Sequence, residues 1–171
     1  MHNRLYDLLN EGDKRTVKNV DEAVQLLVSS PSMIVDLLEI IQSEPEAVSM
    51  RAADCLEKYS RRNTQQLEEH ADTLMHILEK VSQKEVRWHL AQILPRLHLS
   101  MSHLAAASKI WLYDYYNSSS SIVRTESLQA LFDIRNDHPS IGSELRTALV
   151  YGLDSEFPAV KARASSLFRD L

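Results

Sequence analysis

The chain predicts an all-α fold, a right-handed α-α superhelix of about four helix pairs with a terminal half-repeat, and three observations carry that expectation. First, an aliphatic residue followed at offsets +4, +5, +7 and +8 by small or apolar residues recurs four times, at spacings of 38, 37 and 37 residues. The copies begin at Val48 (Ala52, Ala53, Cys55, Leu56), Val86 (Leu90, Ala91, Ile93, Leu94), Val123 (Ser127, Leu128, Ala130, Leu131) and Val160 (Ala164, Ser165, Leu167, Phe168). A period of this length marks stacked supersecondary units, none able to bury its apolar face alone. Second, another set of positions keeps the same register between the copies. Ile34, Ala71, Ser108 and Leu145 form one column, Leu37, Leu74, Trp111 and Ala148 a second, and Ile41, Leu78, Tyr115 and Gly152 a third. Third, 44% hydrophobic and 25% charged residues with only three Gly suit a helix-rich domain.

Taken in order, residues 1–45 form an irregular N-terminal cap and shortened repeat. Residues 2–10 read as a capping helix, Asn10-Glu11-Gly12-Asp13 as a turn or link, and 14–18 carry only a weak pattern. The aliphatic run 20–28 lies too close to Val48 for a full period, so its helix A is placed at 19–29, beginning near Asn19 or Asp21. Its helix B follows Ser30-Pro31 at 32–42, since Pro suits a first turn that needs no internal N–H partner. Full repeats then occupy 46–83, 84–120 and 121–156, each with a helix A carrying the signature and an antiparallel helix B after a polar turn. The helices are expected at 46–60 and 64–81, at 84–97 and 102–116, and at 121–135 and from His138-Pro139-Ser140 to 153. Pro95 removes the bond to Ala91 and should kink its helix, and Asn117 to Ser121 should be a turn ending in an N-cap. A half-repeat at 157–171 ends the chain, with Leu167, Phe168 and Leu171 to cover the last helix B, all within a single domain 1–171.

The three columns are expected to be core, and paired size changes (Trp111 with Ala148, Tyr115 with Gly152) are what close packing of neighbouring helices requires. Cys55 falls at a core offset, which reads as a small buried hydrophobe rather than a reactive thiol. As the chain's only cysteine it forms no intramolecular disulfide. Neither a signal peptide nor an apolar run of membrane-spanning length is legible, so the expectation is a cytoplasmic protein.

Two stretches, Val86-Arg87-Trp88-His89-Leu90-Ala91-Gln92-Ile93-Leu94 and Val123-Arg124-Thr125-Glu126-Ser127-Leu128-Gln129-Ala130-Leu131, carry the pattern Val-Arg-x-x-Ala-Ala-x-Ala-Leu. In this the chain resembles HEAT repeats of the armadillo superfamily over residues 46–171, and among them small bacterial HEAT-repeat proteins without an established activity. The resemblance implies an Arg after the aliphatic residue, present as Arg87 and Arg124, replaced by Lys161, and missing at Ser49, where the ladder breaks. Such cations are expected to bond carboxylates and turn carbonyls between repeats. The superfamily also includes di-iron hydroxylases built on His-Glu dipeptides, but none of the seven histidines here precedes a Glu. Its DNA glycosylases and bilin lyases are the remaining catalytic comparisons.

No Gly-rich phosphate loop, no Gly-flanked nucleophilic Ser and no Cys/His signature is present, so no catalytic, cofactor-binding or metal site is expected. Asp72 and His76, four apart on one helix, could be two metal ligands but lack an evident third. The net charge of −5 offers DNA no attracting field, and the helix B residues Asp36, Glu39, Glu68, Glu69, Asp72 and Glu79 would repel it, which makes nucleic acid a disfavoured partner. Arg61-Arg62, Arg87, Arg96, Lys161 and Arg169 fall mainly on A helices or turns.

Binding is therefore expected on exposed helix faces. The outer face of the B helices presents His76 in one repeat, Lys109, Ile110 and Tyr113 in the next, and Arg146 and Val150 in the last, with Ile110, Tyr113 and Val150 as the apolar anchor. Trp88 lies opposite the core side of its A helix and is expected to point outward. The reading is a non-enzymatic scaffold that binds another protein or peptide through a concave or a convex surface. The alternative is a nucleic-acid-binding or processing protein, or an accessory subunit of an enzyme.

Overall fold

The computed structural model describes residues 4–11, 19–43 and 45–171, and the expectations for 12–18 lie outside the described residues. Among these residues there are eleven α-helices and no strand. The chain packs as two compact units, Met1–Leu97 and His98–Leu171. The helix pair expected at 84–120 therefore contributes one helix to each.

The first unit holds α1 (Arg4–Asn10), α2 (Val20–Ser29), α3 (Ile34–Ser43), α4 (Glu46–Ser60), α5 (Gln65–Glu68), α6 (Ala71–Lys80) and α7 (Lys84–Ile93). Its centre is α4, which packs against α1, α2, α3 and α7. That explains why α4 buries small or apolar side chains on more than one face, Val48, Ala52, Ala53, Cys55 and Leu56 among them. The second unit holds α8 (Met101–Asn117), α9 (Ser121–Asp133), α10 (Gly142–Leu153) and α11 (Pro158–Arg169). Here α9 is central, packed on α8, α10 and α11.

Helices carrying the signature begin at Glu46, Lys84, Ser121 and Pro158, so their starts are 38, 37 and 37 residues apart, as in the sequence. Of the intervening helices, α3, α6 and α8 end at Ser43, Lys80 and Asn117, each 37 residues after the last. All twelve residues of the three columns are buried. In α4, in α9 and in α7 with the 3-10 turn after it all four signature offsets are buried too, whereas on α11 only Ala164 and Leu167 are. Ser165 and Phe168 face solvent there, as does Leu171, so of the three residues expected to cover the last helix only Leu167 does so.

Three boundaries depart from the pattern for local reasons. The helix expected at 64–81 breaks into α5 and α6, where the His70 N–H donates to the Leu67 carbonyl at 3.0 Å in a tightened turn. At Pro95 the α-helix gives way to a 3-10 turn, Leu94–Arg96, because the ring supplies no N–H to continue the ladder. Both Pro31 and Pro139 open a short 3-10 turn that leads into the following helix. At the 118–120 turn the Ser120 hydroxyl accepts from the Val123 N–H at 3.4 Å, the expected cap of α9.

Side chains near the start of a signature helix take carbonyls at the end of the helix before it. Arg87 donates to the Val81 carbonyl at 2.6 Å and to that of Leu78 at 3.4 Å, and Arg124 donates to the Ser118 carbonyl. Ser49 does not break this arrangement. Its hydroxyl donates to the Ile40 carbonyl at 3.3 Å, nine residues back, the same separation as Arg87 from Leu78. Equivalent helices are also tied to one another directly. Gln83 donates to the Glu46 carbonyl at 2.8 Å, 37 residues away, and Arg163 donates to Gln129 Oε1 at 2.7 Å between α11 and α9.

One tie in the first unit is made by the buried Glu57 carboxylate. Arg61 donates to both its oxygens, at 3.1 and 2.8 Å, and Arg96 from the 3-10 turn after α7 donates at 2.7 Å. Arg96 also donates to the Ser60 hydroxyl at 2.6 Å. Burial alone would raise the Glu57 carboxyl, but the hydrogen bonds and charges of the two guanidinium groups outweigh it and hold it below its usual range. A group with a lowered folded value contributes stability that is complete above its ordinary value near 4.5 and is lost as pH falls through the folded value. Acid titration of unfolding should show that loss. In Glu57→Gln it should be smaller, with stability near neutral pH down by about 1–3 kcal/mol.

In the second unit the decisive contact is at Gly152. A methyl group there would come within 2.6 Å of Ala164 Cβ and 2.7 Å of the Tyr115 hydroxyl, which donates to the Ala148 carbonyl at 2.8 Å. Glycine inside a helix ordinarily costs about 0.5–1 kcal/mol relative to Ala. At this position Gly152→Ala should instead destabilise by about 1–3 kcal/mol, the range for overpacking, in denaturant melts. A melt showing stabilisation would refute the close approach.

Candidate functional site

Five of the seven candidate binding residues fall on two helices of the second unit. On α8, Lys109, Ile110 and Tyr113 lie at i, i+1 and i+4, and on α10, Arg146 and Val150 lie at i and i+4, so each helix places its set on one face. Tyr113 is 67% exposed and Val150 52%, Lys109 and Arg146 are exposed, and Ile110 is half-buried. The other two are in the first unit, His76 exposed on α6 and Trp88 on α7. Trp88 does not stand free as its helical position implied. It is half-buried, with its ring edge-on to His89 at 5.6 Å. Neighbours cover a large ring even where the helical wheel places it outside.

The two helices of the second unit are joined by rings that the sequence reading did not assign to the site. Tyr151, 54% exposed, packs edge-on against Tyr116 at 5.3 Å and against Tyr115 at 6.2 Å, while Tyr115 and Tyr116 meet at 4.9 Å. Tyr116 lies three residues after Tyr113 and Tyr151 directly follows Val150. The ring cluster of Tyr115, Tyr116 and Tyr151 thus lies near the exposed Tyr113 and Val150 in sequence on the same two helices. The i, i+3 spacing of Tyr113 and Tyr116 was legible in the sequence. The approach of Tyr151 was not, since it depends on the Tyr115 hydroxyl docking onto α10.

Burial pushes the Tyr115 hydroxyl well above its ordinary value, helped by Tyr116 and Tyr151. Burial and then Tyr151 raise Tyr116 as well. Both stay neutral near pH 7 and serve as packing surface and hydrogen-bonding groups. Lys109 and Arg146 occupy equivalent positions 37 residues apart, so two cations border the apolar strip one turn before Tyr113 and Val150. Tyr is well suited to such a face because it offers a large rigid area with a hydroxyl at its tip.

Elsewhere the polar groups are held in the fold. Arg61 and Arg96 clamp Glu57, and Arg87 and Arg124 bond turn carbonyls, so much of the basic set counted in the sequence is engaged in packing. Burial keeps the His89 imidazole below its ordinary value, against the pull of Asp54 and Glu57. Among the described residues no group of three or more His, Cys, Asp or Glu is placed to hold a metal ion, and no helix is long and apolar enough to cross a membrane. Compared with known protein families, with curated proteins and with solved structures, the chain matches none.

Cys55 is fully buried on α4, and burial, followed by the nearby Asp54, pushes its thiol up to about 12. At pH 8 the thiolate fraction is then on the order of 1 in 10,000, and little of it is accessible. A thiol reagent should label Cys55 at the rate of global unfolding, with full labelling only in denaturant. Rapid labelling of the native protein would contradict the buried site.

Proposed function

We propose that this chain is a HEAT-like helical-repeat scaffold that binds another protein, and that the docking surface is the tyrosine face of α8 and α10. The observation that carries the reading is the exposure of Tyr113, Val150 and Tyr151, at 67, 52 and 54%, beside Tyr116, whose ring is packed against that of Tyr151. A preorganised aromatic surface loses little conformational entropy on binding, because Tyr116 and Tyr151 hold each other and the apolar strip sits on two helices of one unit. Lys109 and Arg146 beside it favour a partner segment with apolar side chains flanked by carboxylates.

The recurrence of helix starts at 38, 37 and 37 residues, with buried signature offsets in α4, in α9 and in α7 with the turn after it, supports the repeat reading. Arg87 and Arg124, bonded to carbonyls of the preceding turn, take the role that the resemblance gives to that Arg. A scaffold of this kind needs no catalytic constellation, only surface area and rigidity.

The test is affinity capture from lysate of the encoding organism, with nuclease treatment, comparing the wild-type chain with Tyr113→Glu and Tyr151→Ala. A protein partner retained by the wild type after nuclease and reduced at least about tenfold in either variant is the expected result. Helical content should be unchanged in both, with melting unchanged in Tyr113→Glu and lowered in Tyr151→Ala by no more than the roughly 1 kcal/mol of its ring contacts with Tyr115 and Tyr116. Retention that vanishes with nuclease would transfer the role to nucleic acid. Equal capture by all three chains would remove the tyrosine face from the interaction.

A further inference from the structure

The helices that carry the signature share a second buried set of positions, and on α11 that set is open. Offsets +5, +8 and +11 are Ala53, Leu56 and Tyr59 on α4, Ala91, Leu94 and Leu97 at α7 and the 3-10 turn after it, and Leu128, Leu131 and Ile134 at α9. All of these are buried, none more than 7% exposed. Their counterparts at α11 are Ser165, which is exposed, and Phe168 and Leu171, which are 40 and 47% exposed. Helices later in the chain pack on the earlier ones, α7 on α4, and α10 and α11 on α9. Among the described residues no helix follows α11 to do the same.

The packed pairs show what such a later helix brings with it. Arg163 on α11 meets Gln129 and Glu126 of α9, at 2.7 and 3.7 Å. Arg96, just after α7, meets Glu57 of α4 at 2.7 Å. In both pairs the later segment carries, beside its apolar stripe, a charge opposite to the one it covers. Glu57 stands at offset +9, and offset +9 on α11 is the exposed Arg169, so the sign is reversed there. Helix α11 itself holds the cations Lys161, Arg163 and Arg169 and no carboxylate. A second copy of this chain is poorly suited to cover it, because α11 against α11 sets these cations against one another. At 12 residues, about 18 Å, one face of the helix also falls far short of the roughly 800 Å² per partner of a standard interface.

We propose that the open face of α11 docks an acidic amphipathic helix of a partner protein, its apolar stripe laid over Ser165, Phe168 and Leu171 and a carboxylate beside the stripe paired with Arg169. The short Ser165 side chain lets the incoming helix approach, Phe168 supplies apolar area, and Arg169 selects for negative charge. This site does not depend on the tyrosine face of α8 and α10.

The experiment is an NMR titration of the isotope-labelled full chain with a synthetic peptide of two repeats of Leu-Glu-Glu-Leu-Leu-Ala-Glu, acetylated and amidated, and with its analogue carrying Lys in place of every Glu. Saturable shifts at Ser165, Phe168, Arg169 and Leu171 are expected with the acidic peptide, and binding at least about tenfold weaker with the Lys analogue. Ser165→Glu and Arg169→Glu, both at exposed positions, should keep the helical content and weaken the acidic peptide at least about tenfold, less so at high salt. Phe168→Ala should weaken it several-fold. The absence of saturable binding, equal binding of the two peptides, or undiminished binding by either Glu variant would overturn the proposal. So would a wild-type chain that dimerises in sedimentation and loses the dimer in Arg169→Glu, which would make a second copy the occupant. Shifts centred on Tyr113 and Tyr151 would also overturn it, and would leave the tyrosine-face reading standing without this one.

Discussion

At three junctions the end of one helix is closed by a side chain from the start of the next signature helix. The last carbonyls of a helix have no intrahelical donor, and burying them unpaired against a neighbour costs as much as a lost hydrogen bond. Ser49, Arg87 and Arg124 supply donors to Ile40, to Leu78 and Val81, and to Ser118. Because each donor sits near the first turn of a signature helix, it sets where the preceding helix stops and how short the turn between them is. Serine reaches its carbonyl from closer in than arginine, so the two residue types perform the same closure at different reach.

On that frame the core is assembled by matching volumes. Gly152 exists because Tyr115 and Ala164 take the room a side chain would need, and Tyr115 spends its hydroxyl on the Ala148 carbonyl while its ring supports Tyr116 and Tyr151. The exposed aromatic strip is thus an outgrowth of core packing.

Charge follows a similar division. Glu57 is buried and the exposed Arg61 and Arg96 reach it from the surface with hydrogen bonds that offset its burial, while Lys109 and Arg146 remain outside in matching positions. The acidic character of the chain as a whole does not describe any one face. Asp72 on α6 occupies the repeat position that Lys109 and Arg146 occupy on α8 and α10.

By itself the sequence determined the helices and their register. The small and apolar offsets after Val48, Val86 and Val123 specify a buried stripe, Pro31, Pro95 and Pro139 mark turns, and the columns from Ile34 to Gly152 are core, because periodicity and proline act within a few residues of chain. Tertiary structure alone decided which outward residues are free. Trp88 and Ile110 are partly covered, Phe168 is left open, and Tyr151 joins Tyr116, outcomes set by helices distant in sequence. It also decided that Ser49 could replace an arginine and that the turn at His70 divides one expected helix. Helical periodicity gives the direction of a side chain from its own axis, but only the neighbouring helix fixes how much space remains beyond it.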